Sequence, residues 1–295
     1  MSHTKSPLRY PGGKSQLSTF IQHILELNRI PSPIYCEPFS GGAGVPIALL
    51  LNGQVDSVIL NDFDIAIYSI WYAILNDTDS FLRRIDSTPA NIDTWHKQHD
   101  IYEQLNDSTE YDPDLAFATF FLNRTNISGI ITGGPIGGLD QKGQYKLDCR
   151  YNKSTLRKKI LDIAVLRNRI RLYHMDASEL IQNILMYEDP TRLFVFFDPP
   201  YYQQGKNLYK NAFTDEEHVH LSNIIREMNC FKWIVTYDNH PRIQEIYQDM
   251  APMYYSLQYM ANKKRKEKEI FLHSPETLIE DHGNVIFEAG IPVAV

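Results

Sequence analysis

The strongest indication of the fold is the segment Leu193-Phe194-Val195-Phe196-Phe197-Asp198-Pro199-Pro200-Tyr201. Its first five residues form a continuous apolar run, which is typical of a parallel strand that is buried on both faces. Two consecutive prolines then fix φ and remove two backbone donors, so the carbonyls beside them are held still. The stretch predicts an α/β fold with a buried parallel strand that presents chemistry at its carboxyl end.

The four residues after this strand suit a flat heterocycle that carries an amino group. Asp198 can accept hydrogen bonds and Tyr201 can stack on a ring. A strand-ending turn with a surface aspartate would also have this composition. The tetrapeptide by itself therefore leaves a binding site and an ordinary turn both open.

A glycine turn lies near the start of the chain, after another short strand. Residues 35–40 lead into Gly41-Gly42-Ala43-Gly44 and an apolar helix, and residues 58–60 predict the next strand, which ends at Asn61-Asp62. In such a βαβ unit the glycines let the backbone approach a ligand, and the acid can bind a ribose diol. The spacing is not Gly-x-Gly-x-x-Gly, so a nicotinamide or flavin cofactor is disfavoured.

Composition narrows the class of protein. The chain has 295 residues, of which 43% are hydrophobic and 22% are charged, and it contains three cysteines that lie far apart. Neither a membrane-spanning run nor a signal-peptide core is apparent, so we expect a cytoplasmic location and no membrane partner. The cysteines and histidines show no metal-ligand spacing, so we expect no metal. In particular, a capping box at Thr214 predicts that His218 and His220 are surface residues of a first helical turn.

The regular alternation of strands and helices is interrupted in the middle of the chain. Residues 77–161 show helical segments without intervening strands, followed by a glycine-rich, hairpin-like stretch at residues 129–145. Strand–helix alternation resumes near residue 170. We therefore predict one α/β domain made of residues 1–76 and 162–295, with residues 77–161 as an inserted subdomain.

The charge distribution favours a polyanionic partner although the net charge is −7. Residues 142–171 contain ten lysines and arginines but only two acids, Asp148 and Asp162. A second basic cluster occupies residues 263–268, and Lys5, Arg9 and Lys14 have no acidic neighbour. Such segments could contact phosphates. A solvated helix face remains the alternative, especially for residues 157–159.

Residues 10–15, Tyr-Pro-Gly-Gly-Lys-Ser, look like the end of a phosphate-binding loop. The first glycine of that motif is missing, because Leu8 occupies its position, and no apolar strand leads in. A nucleoside triphosphatase is therefore disfavoured. Lys14 could still bind a carboxylate or a phosphate by charge.

Together these stretches resemble the DNA adenine methylase (Dam-type) family of S-adenosylmethionine-dependent amino-methyltransferases. The similarity covers nearly the whole chain and rests on residues 8–14, 37–44, 61–62, 121–125, 149–152 and 198–201. It implies a Rossmann-like class I methyltransferase sheet. The inserted segment would then be a mostly helical target-recognition subdomain that carries a hairpin.

The resemblance also implies that the cofactor is S-adenosyl-L-methionine. The residues expected to contact it are Tyr10, Lys14, Glu37, Phe39, Gly41, Gly42, Gly44, Asp62, Asp176 and Asp198. Asp62 would hold the ribose hydroxyls, Asp176 the adenine edge and Lys14 the methionyl carboxylate.

The implied reaction is methylation of the exocyclic N6 amino group of an adenine that is flipped out of duplex DNA. The catalytic residues would be Asp198, Pro199, Pro200 and Tyr201. The Asp198 carboxylate and the Pro199 carbonyl would accept hydrogen bonds from the amino group, and Tyr201 would stack on the base.

The residues expected to contact DNA are Arg124, Asn126, Lys142, Lys146 and Arg150. Dam-type enzymes that read GATC have a hairpin with asparagine, phenylalanine and glycine after the Arg-Tyr-Asn element. Here Asn152 is followed by Lys-Ser-Thr-Leu-Arg, so GATC is not assumed as the target. A cognate restriction endonuclease is a candidate partner.

Three alternatives to adenine methylation of DNA are open. Enzymes that methylate cytosine N4 more often carry serine in place of Asp198. Enzymes that act on RNA or on a protein glutamine usually carry asparagine there. A DNA-binding or cofactor-sensing protein without turnover would be expected to have lost Asp198 or Lys14.

Overall fold

The computed structural model describes residues 4–9, 17–203, 213–261 and 263–288, with the backbone alone at residues 257–261 and 263–267. The predictions for Tyr10 and Lys14 lie outside the described residues. The strands are β1 (Ile34–Glu37), β2 (Ser57–Asn61), β3 (Ile170–Tyr173), β4 (Leu193–Phe197), β5 (Lys232–Asp238), β6 (Met253–Ala261) and β7 (Lys263–His273). The α-helices are α1 (Ser18–Leu27), α2 (Gly44–Leu51), α3 (Ile65–Asn76), α4 (Thr78–Ser87), α5 (Ile92–Leu105), α6 (Pro113–Thr125), α7 (Lys153–Ala164), α8 (Ala177–Asn183), α9 (Asp215–Glu227) and α10 (Pro241–Ile246).

The strands form one sheet in the order β3-β2-β1-β4-β5-β7-β6. The first five strands in this order are parallel, and β7 is antiparallel to both β5 and β6. The strand order reverses between β1 and β4, and ligands of open α/β sheets bind at the carboxyl edge beside such a point. The predicted Rossmann-like α/β sheet is therefore confirmed, and β4 lies at its centre.

The apolar run that forms β4 is buried on both faces of the sheet. All five of its residues are buried. Phe194 and Phe196 belong to one hydrophobic cluster, and Leu193, Val195 and Phe197 belong to the other. Because successive side chains of a strand point to opposite faces, a continuous apolar run is needed where helices cover both faces.

The middle segment is helical, as predicted, but it shares the core of the sheet. Helix α6 packs against α3 and α5, while α7 packs against α3 and α4. Ten of the 13 residues of α6 are buried, and its apolar side chains join the cluster that covers the first face of the sheet. The helices of residues 77–161 are therefore attached to the sheet through a continuous apolar interface.

The predicted hairpin at residues 129–145 is not formed. This segment consists of turns, and its one isolated β-bridge joins Asn126 to Pro135. The Gln141 side chain donates to the carbonyls of Ile136 (2.8 Å) and Gly138 (2.6 Å) and accepts from the N–H of Leu147 (2.9 Å). Because a side chain satisfies backbone groups that a strand ladder would use, the glycines support turns and not a hairpin.

No helix among the described ranges is both long and apolar enough to cross a membrane. The same part of the chain contains no group of three or more His, Cys, Asp and Glu side chains arranged to hold a metal ion.

Candidate active site at the carboxyl edge of the sheet

Asn61 ties together the ends of three neighbouring strands. Its amide nitrogen donates to the carbonyls of Pro38 (2.9 Å) and Met175 (3.0 Å), and its amide oxygen accepts from the N–H of Met175 (3.2 Å). The side chain is 1% exposed. The loops after β1, β2 and β3 are therefore held together without a buried charge. Sequence reasoning used Asn61 only as part of a motif and missed this role.

The glycine turn and Asp62 are in direct contact. The Asp62 carboxylate accepts hydrogen bonds from the N–H groups of Gly41 (2.7 Å) and Asp64 (3.0 Å). Trp71 donates from its indole nitrogen to the Gly41 carbonyl (2.9 Å). Gly41 has φ 46°, a left-handed conformation that favours glycine. The turn of Gly41, Gly42 and Gly44 and the predicted ribose-binding acid therefore form one unit.

The environment of Asp62 changes its acidity. Burial, together with the nearby Asp64 carboxylate, raises the pKa of Asp62 to about 7, although the N–H donors of Asp64 and Gly41 oppose the shift. Near neutral pH this carboxyl group therefore exchanges between its neutral and its ionised form.

Glu37 and Phe39 are the other predicted cofactor contacts in the first half of the chain, and both lie where β1 ends. Glu37 is buried, and its carboxyl oxygen Oε1 accepts from the Tyr35 hydroxyl (3.0 Å). Burial raises the pKa of Glu37 well above its ordinary value, and Asp198 adds to this rise. Phe39 is partly buried and packs edge-to-face on Phe213, with ring centroids 5.8 Å apart.

Asp176 follows β3 and caps helix α8. Its carboxylate accepts from the N–H of Ser178 (2.7 Å). The residue before it, Met175, is the one that Asn61 binds. Asp176 is therefore next to the loop that carries Asp62, although 113 residues separate the two along the chain.

Asp198 is held in place from the neighbouring strand β5. The Thr236 hydroxyl donates to Oδ1 of Asp198 (2.8 Å), and Thr236 is fully buried. Asp198 itself is partly buried, and Pro199 is buried. The orientation of the carboxylate at the end of β4 is therefore fixed before any ligand binds.

The residues after Asp198 are anchored in the same way. Tyr201 is partly buried, and its hydroxyl donates to Glu269 of β7 (2.8 Å). The N–H groups of Tyr202 and Gln203 donate to the two carboxylate oxygens of Asp238, each at 3.0 Å. The sequence did not identify Asp238 or Glu269, because a contact between strand ends leaves no local signal.

One histidine prediction is wrong. The capping box of Thr214 and Glu217 is present, but His218 is 1% exposed and its Nδ1 lies 3.0 Å from the Tyr237 hydroxyl. Burial lowers the pKa of His218 to about 4, so the ring is neutral at physiological pH. The helix turns this position towards β5, which the capping pattern could not indicate.

Arg124, a predicted DNA contact, has structural partners within the protein. Arg124 donates from Nε (2.9 Å) and Nη2 to the Arg150 carbonyl and from Nη1 to the Pro7 carbonyl (3.3 Å). Burial, together with the charges of Arg9 and Arg150, lowers the pKa of Arg124 to about 10. Much of its guanidinium is therefore used within the protein.

Asn126 is buried and does not read a base in this conformation. Its amide oxygen accepts from the Trp95 indole nitrogen (2.6 Å), and its amide nitrogen donates to the carbonyls of Ile130 (2.9 Å) and Ile131 (2.8 Å). The side chain is 0% exposed. Because its donors and its acceptor are occupied, the prediction that Asn126 contacts DNA is corrected to a structural role.

More of the positive charge at residues 142–171 is paired with acids than the sequence of this run suggests. Several of its cations pair with acids from elsewhere in the chain or from their own helix: Arg157 with Asp86 (2.6 Å), Lys158 with Asp162 (2.7 Å) and Arg171 with Glu188 (2.5 Å). Lys142, Lys146 and Arg150 are exposed. The ion pair of Lys142 with Asp140 (3.2 Å) is highly solvated and therefore weak. Lys146 also donates to the Gln141 carbonyl (2.5 Å). Because all three side chains are exposed, a polyanion can still approach them.

The segment that precedes residues 10–16 is fixed on the inserted helix α6. Asn123 accepts from the Arg9 N–H (2.9 Å) and donates to the Arg9 carbonyl (2.5 Å). A Cβ atom at Gly129 would lie 2.6 Å from the Arg9 carbonyl oxygen, so only glycine fits there. The insertion therefore positions the start of the N-terminal loop.

The glycine turn with Asp62 and the anchored Asp198 lie on the two sides of the point where strand order reverses. A sheet of this order with these two elements defines a class I methyltransferase. The chain belongs to the D12 class N6 adenine-specific DNA methyltransferase family, whose family model matches residues 10–274. The resemblance drawn from the sequence is confirmed, and the chain is an adenine-specific DNA methyltransferase that uses S-adenosyl-L-methionine. The chemistry of the site fits this cofactor. The carboxylate of Asp62 can accept hydrogen bonds from ribose hydroxyls, and it lies beside a glycine turn whose backbone a ligand can approach closely.

A curated relative is the type II methyltransferase M.CviBI of Paramecium bursaria Chlorella virus NC1A. It is 26% identical over 227 residues, which cover 75% of this chain and 78% of the relative. Among solved structures, a candidate RNA methyltransferase of Pyrococcus horikoshii shares 9% identity over 90% of this chain and 84% of its own, with a TM-score of 0.40. The rRNA methyltransferase aviRa of Streptomyces viridochromogenes shares 12% identity over 91% of this chain and 88% of its own, with a TM-score of 0.37. These two structures are too distant for their substrates to bear on this chain.

Proposed function

We propose that the enzyme methylates N6 of an adenine that is flipped out of duplex DNA at a specific sequence, and that Asp198-Pro199-Pro200-Tyr201 carries the chemistry. The supporting observation is the carboxylate of Asp198, which follows the central strand and is oriented by Thr236 at 2.8 Å. A rigid acceptor at this edge can bind the amino group of a base without reorganisation.

The proposed role of Asp198 follows from the weakness of the nucleophile. The lone pair of an exocyclic amino nitrogen is delocalised into the ring, so it attacks poorly. Hydrogen bonds from its two protons to the Asp198 carboxylate and the Pro199 carbonyl would draw the nitrogen towards tetrahedral geometry. S-adenosyl-L-methionine supplies, when bound, a methyl group activated by a positively charged sulfur. Alignment of the amino nitrogen by these acceptors would supply much of the rate.

On the cofactor side we propose the residues that border the glycine turn. These are Glu37, Phe39, Gly41, Gly42, Gly44, Asp62, Asp176 and Asp198, together with Tyr10 and Lys14, which lie outside the described residues. The contact of Asp62 with Gly41 (2.7 Å) supports this proposal most directly, because it joins the two best-defined parts of the pocket.

The acidity of Asp62 gives the cofactor affinity an expected pH dependence. If the ribose hydroxyls bind the ionised carboxylate, a pKa of about 7 predicts about tenfold weaker binding at pH 6 than at pH 8. In the free protein the sign is opposite. A raised carboxyl pKa stabilises the fold below the unfolded value near 4, and this contribution is lost as the pH rises through 7. Calorimetric titration with S-adenosylhomocysteine at both pH values measures the first effect.

Asp62→Asn is the control for this pH dependence. The variant removes the titrating group, so its weaker affinity should vary little between pH 6 and pH 8. Equal affinity of the wild-type protein at the two pH values would contradict the assigned role of Asp62.

For DNA we propose that residues 77–161 form the target-recognition subdomain and that its exposed cations contact phosphates. The support is the exposure of Lys142, Lys146 and Arg150. Arg124 remains a candidate contact with the part of its guanidinium that faces no backbone carbonyl. Phosphate contacts fix the position of the enzyme on DNA, while base contacts provide the sequence specificity.

Replacing Lys142 and Lys146 by glutamine should reduce the salt dependence of DNA binding. Each lost phosphate contact lowers the slope of log K against log salt concentration by about 0.9, so the double variant should lose about 2. Fluorescence anisotropy of a labelled duplex at several salt concentrations gives the slope. Lys158→Gln is the matched control, because Lys158 is an exposed lysine of helix α7 that is not among the three proposed phosphate contacts. An unchanged slope in the double variant would remove these two lysines from the DNA surface.

Base flipping is tested with a fluorescent base. Sequencing of DNA methylated by the enzyme gives the target site, and 2-aminopurine then replaces the target adenine in a duplex. A strong rise in fluorescence on binding with the unreactive analogue sinefungin supports extrusion of the base. Methylation of that site without any rise would contradict it.

We also propose a role in a restriction–modification pair or as an orphan methylase, since a relative is a type II methyltransferase. Plasmid DNA from cells that express the chain should resist a type II endonuclease that cleaves the sequenced target. Cleavage of fully methylated sites would contradict a protective role against a nuclease of that specificity.

A further inference from the structure

Glu269 is a buried carboxylate that joins strand β7 to the catalytic turn. It is 1% exposed. Its Oε1 accepts from the Tyr201 hydroxyl (2.8 Å), and its Oε2 accepts from the Tyr255 hydroxyl (2.5 Å). One carboxylate thus binds an aromatic ring of the catalytic turn and an aromatic ring of the core.

The strand register places Glu269 beside the other anchors of the site. Glu269 of β7 pairs with Asp238 of β5, and Phe271 pairs with Thr236. Thr236 holds Asp198, and Asp238 holds the backbone of the two residues after Tyr201. The catalytic turn is therefore held from β5 on both sides of Tyr201, while the ring of Tyr201 is held from β7.

The second tyrosine fixes the carboxylate itself. Tyr255 is fully buried and packs edge-to-face on Phe271, with ring centroids 6.0 Å apart and an interplanar angle of 88°. Its hydroxyl therefore has little freedom, and neither has the carboxylate that it binds. The orientation of Glu269 is set by the core and not by solvent.

A requirement for stability alone does not explain a carboxylate at this position. An apolar residue of similar size would fill the same volume without the desolvation of a charged group, and such replacements are often neutral or stabilising. Glutamate is the side chain that gives two phenols an acceptor each. Burial raises the pKa of Tyr201 well above its ordinary value, and the Glu269 charge adds to this rise, so the phenol keeps its proton for this hydrogen bond.

We propose that Glu269 is a positioning residue that acts through the Tyr201 hydroxyl and sets the plane in which Tyr201 meets the target base. This inference rests on the proposed function, in which Tyr201 stacks on the base. A ring that is fixed before the base arrives loses less freedom on stacking, so the contact favours the reactive alignment.

A double-mutant cycle tests whether Glu269 acts through that hydroxyl. The cycle combines Glu269→Leu, which removes the acceptor, with Tyr201→Phe, which removes the donor, and measures single-turnover methylation of duplex DNA. We expect each single variant to lose about tenfold in rate with nearly unchanged cofactor affinity, and the double variant to be no more than about threefold slower than either. Glu269→Gln, which keeps an acceptor for Tyr201, should recover most of the rate.

Full multiplication of the two losses in the double variant would overturn the inference, since Glu269 would then act independently of the hydroxyl. Wild-type protein that binds cofactor but transfers no methyl group to DNA would instead overturn the proposed function. Glu288→Leu is the matched control. Glu288 is exposed and pairs at 2.9 Å with Lys268, which precedes Glu269 on β7. Its rate should stay within about twofold of wild type.

Tyr255→Phe keeps the test decisive if Glu269→Leu does not fold. It leaves the Tyr201–Glu269 hydrogen bond in place but removes the Tyr255 hydroxyl from the second carboxylate oxygen. A loss of about threefold in rate, abolished in the Tyr201→Phe background, supports the inference. The same loss in both backgrounds overturns it.

Discussion

Asp198→Ala should lower the single-turnover rate of methyl transfer by about 10³-fold or more and leave the fold intact. The carboxylate is the charged acceptor for the amino group, and removal of one such preorganised group costs about 10²–10³ in rate in well-studied enzymes. Because Asp198 is partly buried at the end of a strand and not within the core, alanine should leave no large cavity. Rapid-quench kinetics with saturating cofactor, together with thermal unfolding, measure both effects.

The control for this variant is Thr236→Val. It keeps the shape of the buried side chain but removes the 2.8 Å hydrogen bond that orients Asp198, so we expect a smaller loss of about tenfold. A folded Asp198→Ala protein that methylates DNA within tenfold of the wild-type rate would contradict the assigned role of this carboxylate.

Tyr201→Ala should lower the rate by about 10²-fold while cofactor affinity is retained. Stacking of a base on an aromatic ring contributes about 1–3 kcal/mol, and alanine also removes the hydrogen bond to Glu269. The measurement is the single-turnover rate combined with the dissociation constant of S-adenosylhomocysteine.

Tyr187→Ala is the matched control, because this tyrosine is 83% exposed and precedes the amino end of β4, whereas the catalytic turn follows its carboxyl end. Its rate should equal that of the wild-type enzyme. An unchanged rate in Tyr201→Ala would exclude stacking by Tyr201 as a part of catalysis.

The parts of the site that could be predicted from the sequence are those with a local signal. The apolar run of β4 had to be buried on both faces, and Asp198 follows it directly. The glycine turn and Asp62 each follow a strand, so the edge of a parallel sheet brings them together. Chemistry placed at the carboxyl ends of strands depends on order along the chain, which the sequence contains.

The predictions that failed concern side chains whose contacts leave no recognisable pattern in the sequence. Arg157 belongs to the basic run, yet it pairs with Asp86, which lies 71 residues earlier in the chain. Asn126 looked like a base reader, yet the Trp95 indole and two nearby carbonyls occupy its amide. The predicted hairpin failed because one side chain, Gln141, satisfies the backbone of a series of turns. None of these contacts is visible in composition or spacing.

Glu269 is a residue whose contact with the catalytic turn could not be predicted from the sequence. It lies in a segment of alternating lysines and glutamates, which indicates a solvated strand. Pairing of β7 with β5 turns this one glutamate towards the catalytic turn. A residue with a direct contact to Tyr201 was therefore hidden in a run of charged residues.

The central claim is tested most directly by transfer of labelled methyl groups from S-adenosyl-L-methionine to unmethylated duplex DNA, followed by separation of the modified nucleosides. Our account predicts N6-methyladenine as the labelled product, formed by the wild-type enzyme and lost in Asp198→Ala. Label in N4-methylcytosine, or equal labelling by the Asp198→Ala protein, would contradict it.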